Sequence, residues 1–211
     1  MKILIGYDGS KSAEASLDDL RQAGLPADCE ALVFSIAEVW LPPQSFNGNG
    51  SGIKFDAETE KHLQKHLEKN KRAVREAETL ARHAGDRLRA NFPGWKITTE
   101  ATYGSPGWEI LDKADVFEPD LIVVGSHGRS AVGRLFFGSI SYKVVTEAKC
   151  SVRVARGKIE VDPLQVRVVV GFDGSPGAKA AVSAVAARKW REHSEIRLIA
   201  ASSQAAPVAI E

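Results

Sequence analysis

Short apolar runs alternate with segments of helical periodicity along this chain of 211 residues. KILIGYD (2–8), CEALVFSIA (29–37) and DLIVVGS (120–126) are too short for typical helices and rich in aliphatic residues, which indicates buried strands. Because a helical segment separates each strand from the next, the strands should run parallel and be joined by right-handed crossovers. The sequence therefore predicts a doubly wound α/β sheet.

Two further strands and four helices complete the pattern. The strands are WKITTEATYG (95–104) and CSVRVA (150–155), and the helices are predicted over 10–24, 56–91, 106–117 and 139–148. The long helix carries an apolar stripe at spacings that are sums of three and four, formed by Leu63, Leu67, Val74, Ala77, Ala81, Ala84 and Leu88. Before it, residues 41–54 are rich in Pro, Gly, Asn and Ser, which predicts a mobile loop.

The chain also repeats its own beginning. VRVVVGFDGSPGAKAAV (166–182) restates KILIGYDGSKSAEASL, with Asp173 aligned to Asp8 and Ser175 to Ser10, a constant offset of 165 residues. A helix over 176–192 and a strand over 195–202 are predicted to follow. The second copy is therefore a β-α-β piece of the same fold.

This repeat predicts the domain organisation. We expect one complete domain over 1–157, a linker over 158–165 and a truncated second repeat over 166–211. A β-α-β piece is too small to bury its own apolar faces. It should therefore dock on a neighbouring surface, either the first domain or a symmetry partner, and so favour a homodimer.

The charge pattern excludes several classes of partner. The formal net charge is +1, with acids and bases interspersed, which disfavours binding to nucleic acid or to anionic membranes. The chain contains neither a signal-peptide core nor 18 uncharged apolar residues in a row, so we expect a soluble, cytoplasmic protein. Cys29 and Cys150 are far apart and form no CxxC motif, which predicts buried, reduced thiols.

His62 and His66 are four residues apart and would share one helix face, as zinc-binding histidines do. No third ligand stands near them, and the surrounding HLQKHLEKNKR is charged all round. We therefore predict a solvated helix face and no metal site.

The stretch GSHGRSAVGRLFFGS (125–139) follows the buried strand DLIVV and contains four glycines. We call this stretch the glycine loop. Glycines and a serine could simply make tight turns and cap the next helix. The density of glycines, hydroxyls and guanidiniums at a strand's carboxyl end favours anion binding instead, because backbone N–H groups and a helix N-terminus can hold phosphate. The loop is not GxxxxGK[ST], and the first turn, GYDGSK, lacks the GxGxxG spacing.

The spacing Gly125-x2-Gly128-x9-Gly138-Ser139 resembles the signature of the universal stress protein family, specifically its ATP-binding branch. The GYDGS and GFDGS openings and the ATYGSP turn resemble it too, over 1–156 and again from 166 to about 204. AKCSVRVAR departs from the family, which usually has a proline after this cysteine. The resemblance implies a five-stranded parallel sheet of order 3-2-1-4-5, often in a dimer.

The resemblance also implies the residues of an ATP site. Asp8 would face the ribose or adenine, and the backbone of Ile36 would read the adenine edge. The triphosphate, with or without Mg²⁺, would lie on the backbone of Gly125, Gly128 and Gly138 and on Ser139, with His127 and Arg129 beside it. Each position has an alternative explanation: Asp8 could cap a helix, Ile36 could be core, and Arg129 and Arg134 could be solvated.

No carboxylate lies within the glycine loop, so the chain offers no evident base for hydrolysing ATP, and we predict no catalytic residue. The sequence favours an ATP-binding regulatory module of the stress response. Two alternatives stay open. One is a slow ATPase or phosphotransferase, and the other is a dimerising interaction module without nucleotide.

Overall fold

In the computed structural model, residues 1–39, 57–128, 138–156 and 166–200 are described. They form two compact units. The first contains Met1–Asp19 and the described residues from Ala27 to 156, and the second contains Leu20–Pro26 and the described residues from 166 onward. The predicted loop 41–54 and linker 158–165 lie outside the described residues.

The first unit is a five-stranded, all-parallel sheet of order β3-β2-β1-β4-β5. This confirms the predicted fold class and strand order. In chain order its elements are β1 (Lys2–Gly6), α1 (Lys11–Asp19), β2 (Glu30–Ala37), α2 (Ala57–Asn91), β3 (Lys96–Tyr103), α3 (Pro106–Phe117), β4 (Leu121–Gly125), α4 (Ser139–Glu147) and β5 (Ser151–Ala155). Helix α1 ends five residues earlier than predicted, because the chain tightens into a 3₁₀ turn over Leu20–Gln22.

Helices cover both faces of the sheet. Alternate residues of a strand point to opposite faces, and on one face the strands pack against α3 and α4 in a core of Leu4, Leu32, Phe34, Ile110, Ile122, Val124 and Val144. Helices α1 and α2 pack on the other face. The apolar character of the strands on both faces, evident in the sequence, follows from this double coverage.

The predicted stripe of α2 is buried only in its C-terminal half. Ala77, Ala81, Ala84 and Leu88 are at most 4% exposed, whereas Leu67 and Val74 are half-buried, and the side chain of Leu63 is outside the described set. The reason is length. A helix of 35 residues spans roughly 52 Å, about twice the roughly 26 Å of an eight-residue strand such as β2.

The second unit contains β6 (Arg167–Phe172), α5 (Pro176–Ala186) and β7 (Glu195–Ala200), and its two strands are parallel. Helix α5 ends six residues before the predicted boundary, because the Trp190 indole turns back and donates to the Val185 carbonyl at 2.9 Å. Several apolar side chains of its strands are 47–62% exposed, namely Val169, Ile196, Leu198 and Ile199.

A charged network ties α1 and α2 to the end of β1. The Tyr7 hydroxyl donates to Glu14 of α1, and Arg87 of α2 donates to Glu14 and, at 2.5 Å, to Asp18. Tyr7 is only 3% exposed. Burial, and then the hydrogen bond to Glu14, raise the pKa of Tyr7 above its ordinary value of 10.0.

The end of β4 lies directly against the start of α1. A Cβ placed on Gly125 would lie 2.6 Å from the Ser12 carbonyl carbon and 2.7 Å from the Ala13 nitrogen. Both are backbone atoms, so neither can move aside cheaply. Gly125 is therefore required for packing, whatever else its backbone does.

We expect Gly125→Ala to lower the free energy of unfolding by about 1–3 kcal/mol, the usual cost of forcing an extra carbon into a packed site. Gly171→Ala is the matched control, because a Cβ on this strand glycine meets nothing within 4 Å. Urea unfolding followed by circular dichroism measures both. Equal stability of the two variants would contradict the packing role.

We also expect stability to fall at alkaline pH through Tyr7. Since its pKa is higher in the folded chain, the stabilisation is complete below pH 10 and is lost as the pH rises above that value. The free energy of unfolding of Tyr7→Phe should therefore decline less between about pH 9 and about pH 11 than that of the wild type. Tyr142→Phe, at an exposed tyrosine, is the control. Parallel declines in wild type and Tyr7→Phe would refute this.

Candidate functional site at the carboxyl ends of the central strands

The carboxyl ends of β1 and β4 are adjacent at the point where the strand order reverses. Crevices that bind ligands in open α/β sheets form at this position, because the connections from the two strands leave in opposite directions. Here the chain continues from β1 into Tyr7 and Asp8, and from β4 into Ser126, His127 and Gly128.

Asp8 and Ser10 build the turn that follows β1. The Asp8 carboxylate accepts the Ser10 N–H at 2.9 Å, and the Ser10 hydroxyl accepts the N–H of Ala13 at 3.2 Å. The cap of α1 is thus Ser10. Capping was the alternative explanation for Asp8, and Ser10 takes that role instead.

This turn touches the loop that follows β4. The Ser10 hydroxyl donates to the His127 carbonyl at 3.2 Å. A Cβ on Gly128 would lie 3.2 Å from Oδ2 of Asp8. The Asp8 carboxylate therefore lies between its own turn and Gly128, and any side chain at 128 would press on it.

Gly125 is the last residue of β4 and lies beside the end of β1. Ser126 N–H donates to the Ala155 carbonyl of β5 at 2.8 Å. Because successive residues of a strand direct their N–H and C=O groups to alternate sides, those of Gly125 point towards the end of β1.

The other end of the glycine loop is tied to its beginning. Gly138 N–H donates to the Ser126 carbonyl at 2.7 Å, and the buried Ser141 hydroxyl donates to the same carbonyl at 3.0 Å. In this structure the Gly138 amide is therefore bonded within the protein, and the predicted contact of the Gly138 backbone with phosphate stays a prediction.

The available donors are at the start of α4. Gly138 is the N-cap residue and brings no side chain to cap the helix, and the first amides of a helix lack carbonyl partners in the preceding turn. Ser139, the first residue of α4, is exposed. This end of α4 therefore offers backbone N–H groups and the positive end of the helix dipole.

Ile36 approaches from the side of β2. The Ala37 carbonyl accepts the Gly104 N–H at 3.0 Å, beyond the end of β3. By the same alternation, the backbone N–H and C=O of Ile36 point to the opposite side, towards β1. The Ile36 side chain packs on the core, as its alternative explanation expected; the contact of its backbone with adenine stays a prediction.

His127 is half-buried, with Nδ1 3.1 Å from the Ser126 hydroxyl. Arg129 and Arg134 lie outside the described residues. The fold thus brings Asp8, Gly125, His127, Gly128, Gly138 and Ser139 to one edge of the sheet, with Ile36 at the end of the neighbouring strand.

Sequence reasoning missed four buried serines at this edge: Ser10, Ser35, Ser126 and Ser141. Their hydroxyls or carbonyls make the hydrogen bonds that hold the turns together. A signal existed for Ser35, because it is a polar residue inside the apolar run ALVFSIA. A buried hydroxyl in a central strand needs a partner.

Within the described ranges, no group of three or more His, Cys, Asp and Glu side chains is placed to hold a metal ion. In the same part of the chain no helix is long and apolar enough to cross a membrane. Cys29 is buried and Cys150 half-buried, both are free thiols, and burial raises the pKa of each.

Comparison with known proteins identifies a family that this chain matches. Residues 1–156 match the Universal stress protein family. A universal stress protein of Methanocaldococcus jannaschii is 28% identical over 156 residues, which cover 74% of this chain and 81% of that protein. One from Mycobacterium tuberculosis is 26% identical over 189 residues, and the matched part is 86% of this chain but 57% of that relative.

The chain therefore spans little more than half the length of its mycobacterial relative. Among solved structures, a universal stress protein from Archaeoglobus fulgidus has a TM-score of 0.61 at 21% identity, covering 99% of this chain and 68% of that one. This likeness shows the fold. Since the family match covers the whole first unit, the chain belongs to the universal stress protein family.

Proposed function

We propose that the first unit binds an adenine nucleotide, with ATP as the preferred ligand, and acts as a nucleotide-dependent regulatory module of the stress response. One observation carries the proposal: the Asp8 carboxylate, Gly128 and the start of α4 meet at the switch point of the sheet. A carboxylate suits ribose hydroxyls, and a helix N-terminus suits phosphate. A nucleotide contains both groups.

The phosphates would lie on the backbone of Gly128 and on the first amides of α4, with Ser139 adding a hydroxyl donor. At these positions N–H groups can approach an oxyanion without a side chain in between. Arg129 and His127 would add positive charge or hydrogen-bond donors. Gly138 shapes the helix start rather than donating its own amide.

The nucleoside would lie across the ends of β1 and β2. Asp8 would accept from ribose hydroxyls, and the backbone of Ile36 would meet the hydrogen-bonding edge of adenine. A Mg²⁺ ion bound with ATP would take its ligands from phosphate and water.

A regulatory role is favoured over turnover. Phosphoryl transfer needs a positioned base or water-orienting group and neutralising charges on the leaving phosphate, and the glycine loop contains no carboxylate that could be that base. Slow hydrolysis is the alternative, which phosphate release measured alongside binding would separate. The proposal includes a homodimer, supported by the exposed apolar side chains of β6 and β7.

Asp8→Asn should weaken ATP binding about ten- to hundredfold, the usual loss when a charged acceptor is removed from a hydrogen bond. Asparagine keeps an oxygen for the Ser10 N–H, so the turn should persist. Asp173→Asn is the matched control, because Asp173 accepts the Ser175 N–H at the same 2.9 Å in the second unit, whereas the glycine loop belongs to the first. Calorimetric titration with ATP measures both. Equal losses, or none in Asp8→Asn, would contradict the nucleoside contact.

Gly128→Asp should abolish ATP binding, because the new carboxylate would occupy phosphate volume and repel both the phosphate and Asp8. Gly128→Asn adds the same bulk without the charge and should bind weakly. Ser139→Ala should lose only about one to two decades of affinity, the contribution of one hydroxyl to a charged group. Circular dichroism is the folding control. Because β4 ends at Gly125, substitutions at 128 and 139 should leave the sheet folded. Unchanged affinity in a folded Gly128→Asp would mean that the loop does not hold phosphate.

A further inference from the structure

The buried Ser35 hydroxyl holds the peptide that leads into Asp8. Ser35 lies in β2, is 1% exposed and donates to the Tyr7 carbonyl at 2.6 Å. That carbonyl belongs to the peptide bond between Tyr7 and Asp8. The position of the Asp8 backbone is therefore set by a side chain of the neighbouring strand.

This hydrogen bond ends the β1–β2 ladder in an unusual way. The Tyr7 N–H still follows the ladder and donates to the Phe34 carbonyl at 3.0 Å. In a continued parallel ladder the Tyr7 carbonyl would accept the N–H of Ile36. Here its donor at 2.6 Å is the Ser35 hydroxyl, so the carbonyl is satisfied without the Ile36 amide.

The second repeat shows what Ser35 is not needed for. There Phe172 pairs with Ala200 at the register positions of Tyr7 and Ser35, so the serine hydroxyl is absent. The turn nevertheless forms with the same bonds, from Ser175 N–H to Asp173 at 2.9 Å and from Ala178 N–H to Ser175 at 3.1 Å. The Asp-Gly-Ser turn therefore does not depend on the serine in the adjacent strand.

We infer that Ser35 is a positioning residue of the nucleotide site, and that it does two things for the nucleoside half of the ligand. It sets the distance of Asp8 from β2, and it leaves the Ile36 amide for the adenine edge. The inference rests on the proposed function.

The two halves of the ligand give a test that separates positioning from general stability. Asp8 and Ile36 would contact the nucleoside, whereas Gly128 and α4 would contact the phosphates. Ser35→Ala should therefore weaken ATP binding about three- to tenfold, because the loss of one neutral hydrogen bond that positions Asp8 typically changes affinity by this factor. Its affinity for inorganic tripolyphosphate should be unchanged. A merely loosened fold would weaken both ligands together.

Ser16→Ala is the matched control. Ser16 is also fully buried in the first unit, and its hydroxyl donates to the Ala13 carbonyl within α1 at 2.7 Å. It should leave the ratio of ATP to tripolyphosphate affinity as in the wild type. Ser35→Cys replaces the hydroxyl with a slightly larger thiol that is a weaker donor, so it should show the same selective loss even if Ser35→Ala fails to fold.

Calorimetric titration of both ligands into the full chain and its three variants gives the answer. A selective loss for ATP in the Ser35 variants supports the inference. Wild-type-like ATP affinity in Ser35→Cys and Ser35→Ala, or equal losses for both ligands, overturns the inference alone. A wild type that binds neither ligand overturns the proposed function and the inference with it.

Discussion

The contact between the end of β4 and the start of α1 is the constraint on which this edge of the sheet depends. At Gly125 the two backbones approach so closely that a Cβ would lie 2.6 Å from a carbonyl carbon. This contact places the first turn of α1 against the β4 loop, where Ser10 can cap the helix and bond His127 at once. The Asp8 carboxylate is thereby held beside Gly128.

Buried serine hydroxyls then complete the geometry. Chain segments that leave parallel strands expose carbonyls that no ladder continues to satisfy, and a buried carbonyl without a partner is costly. Ser35 bonds the carbonyl of Tyr7, and Ser141 bonds that of Ser126. The Tyr7 carbonyl is thus satisfied by a side chain, whereas the Ser126 carbonyl accepts both the Ser141 hydroxyl and the Gly138 N–H. Small side chains and backbone amides together hold the turns at this edge.

The second unit shows that the Asp-Gly-Ser turn can be distinguished from the candidate site as a whole. It repeats the Asp-Gly-Ser turn with the same hydrogen bonds and the same strand register, yet Phe172 and Ala200 replace Tyr7 and Ser35. The turn is thus a local consequence of an aspartate and a serine after a strand. The proposed nucleotide site adds to this turn the end of β4 and the glycine loop that follows it, which belong to the first unit.

The sequence by itself determined the alternation of strands and helices, the strand order through its family resemblance, and the glycine spacing, because these are local patterns of hydrophobicity and residue size. Only the tertiary structure decided that Ser10, besides capping α1, bonds the His127 carbonyl, that the Gly138 amide is already bonded, and that Gly125 is required by packing. Those facts depend on contacts such as that between Ser10 and His127, which are 117 residues apart. A residue's own neighbours in sequence fix its backbone preference, but its hydrogen-bond partner is chosen where strands distant in the chain come side by side.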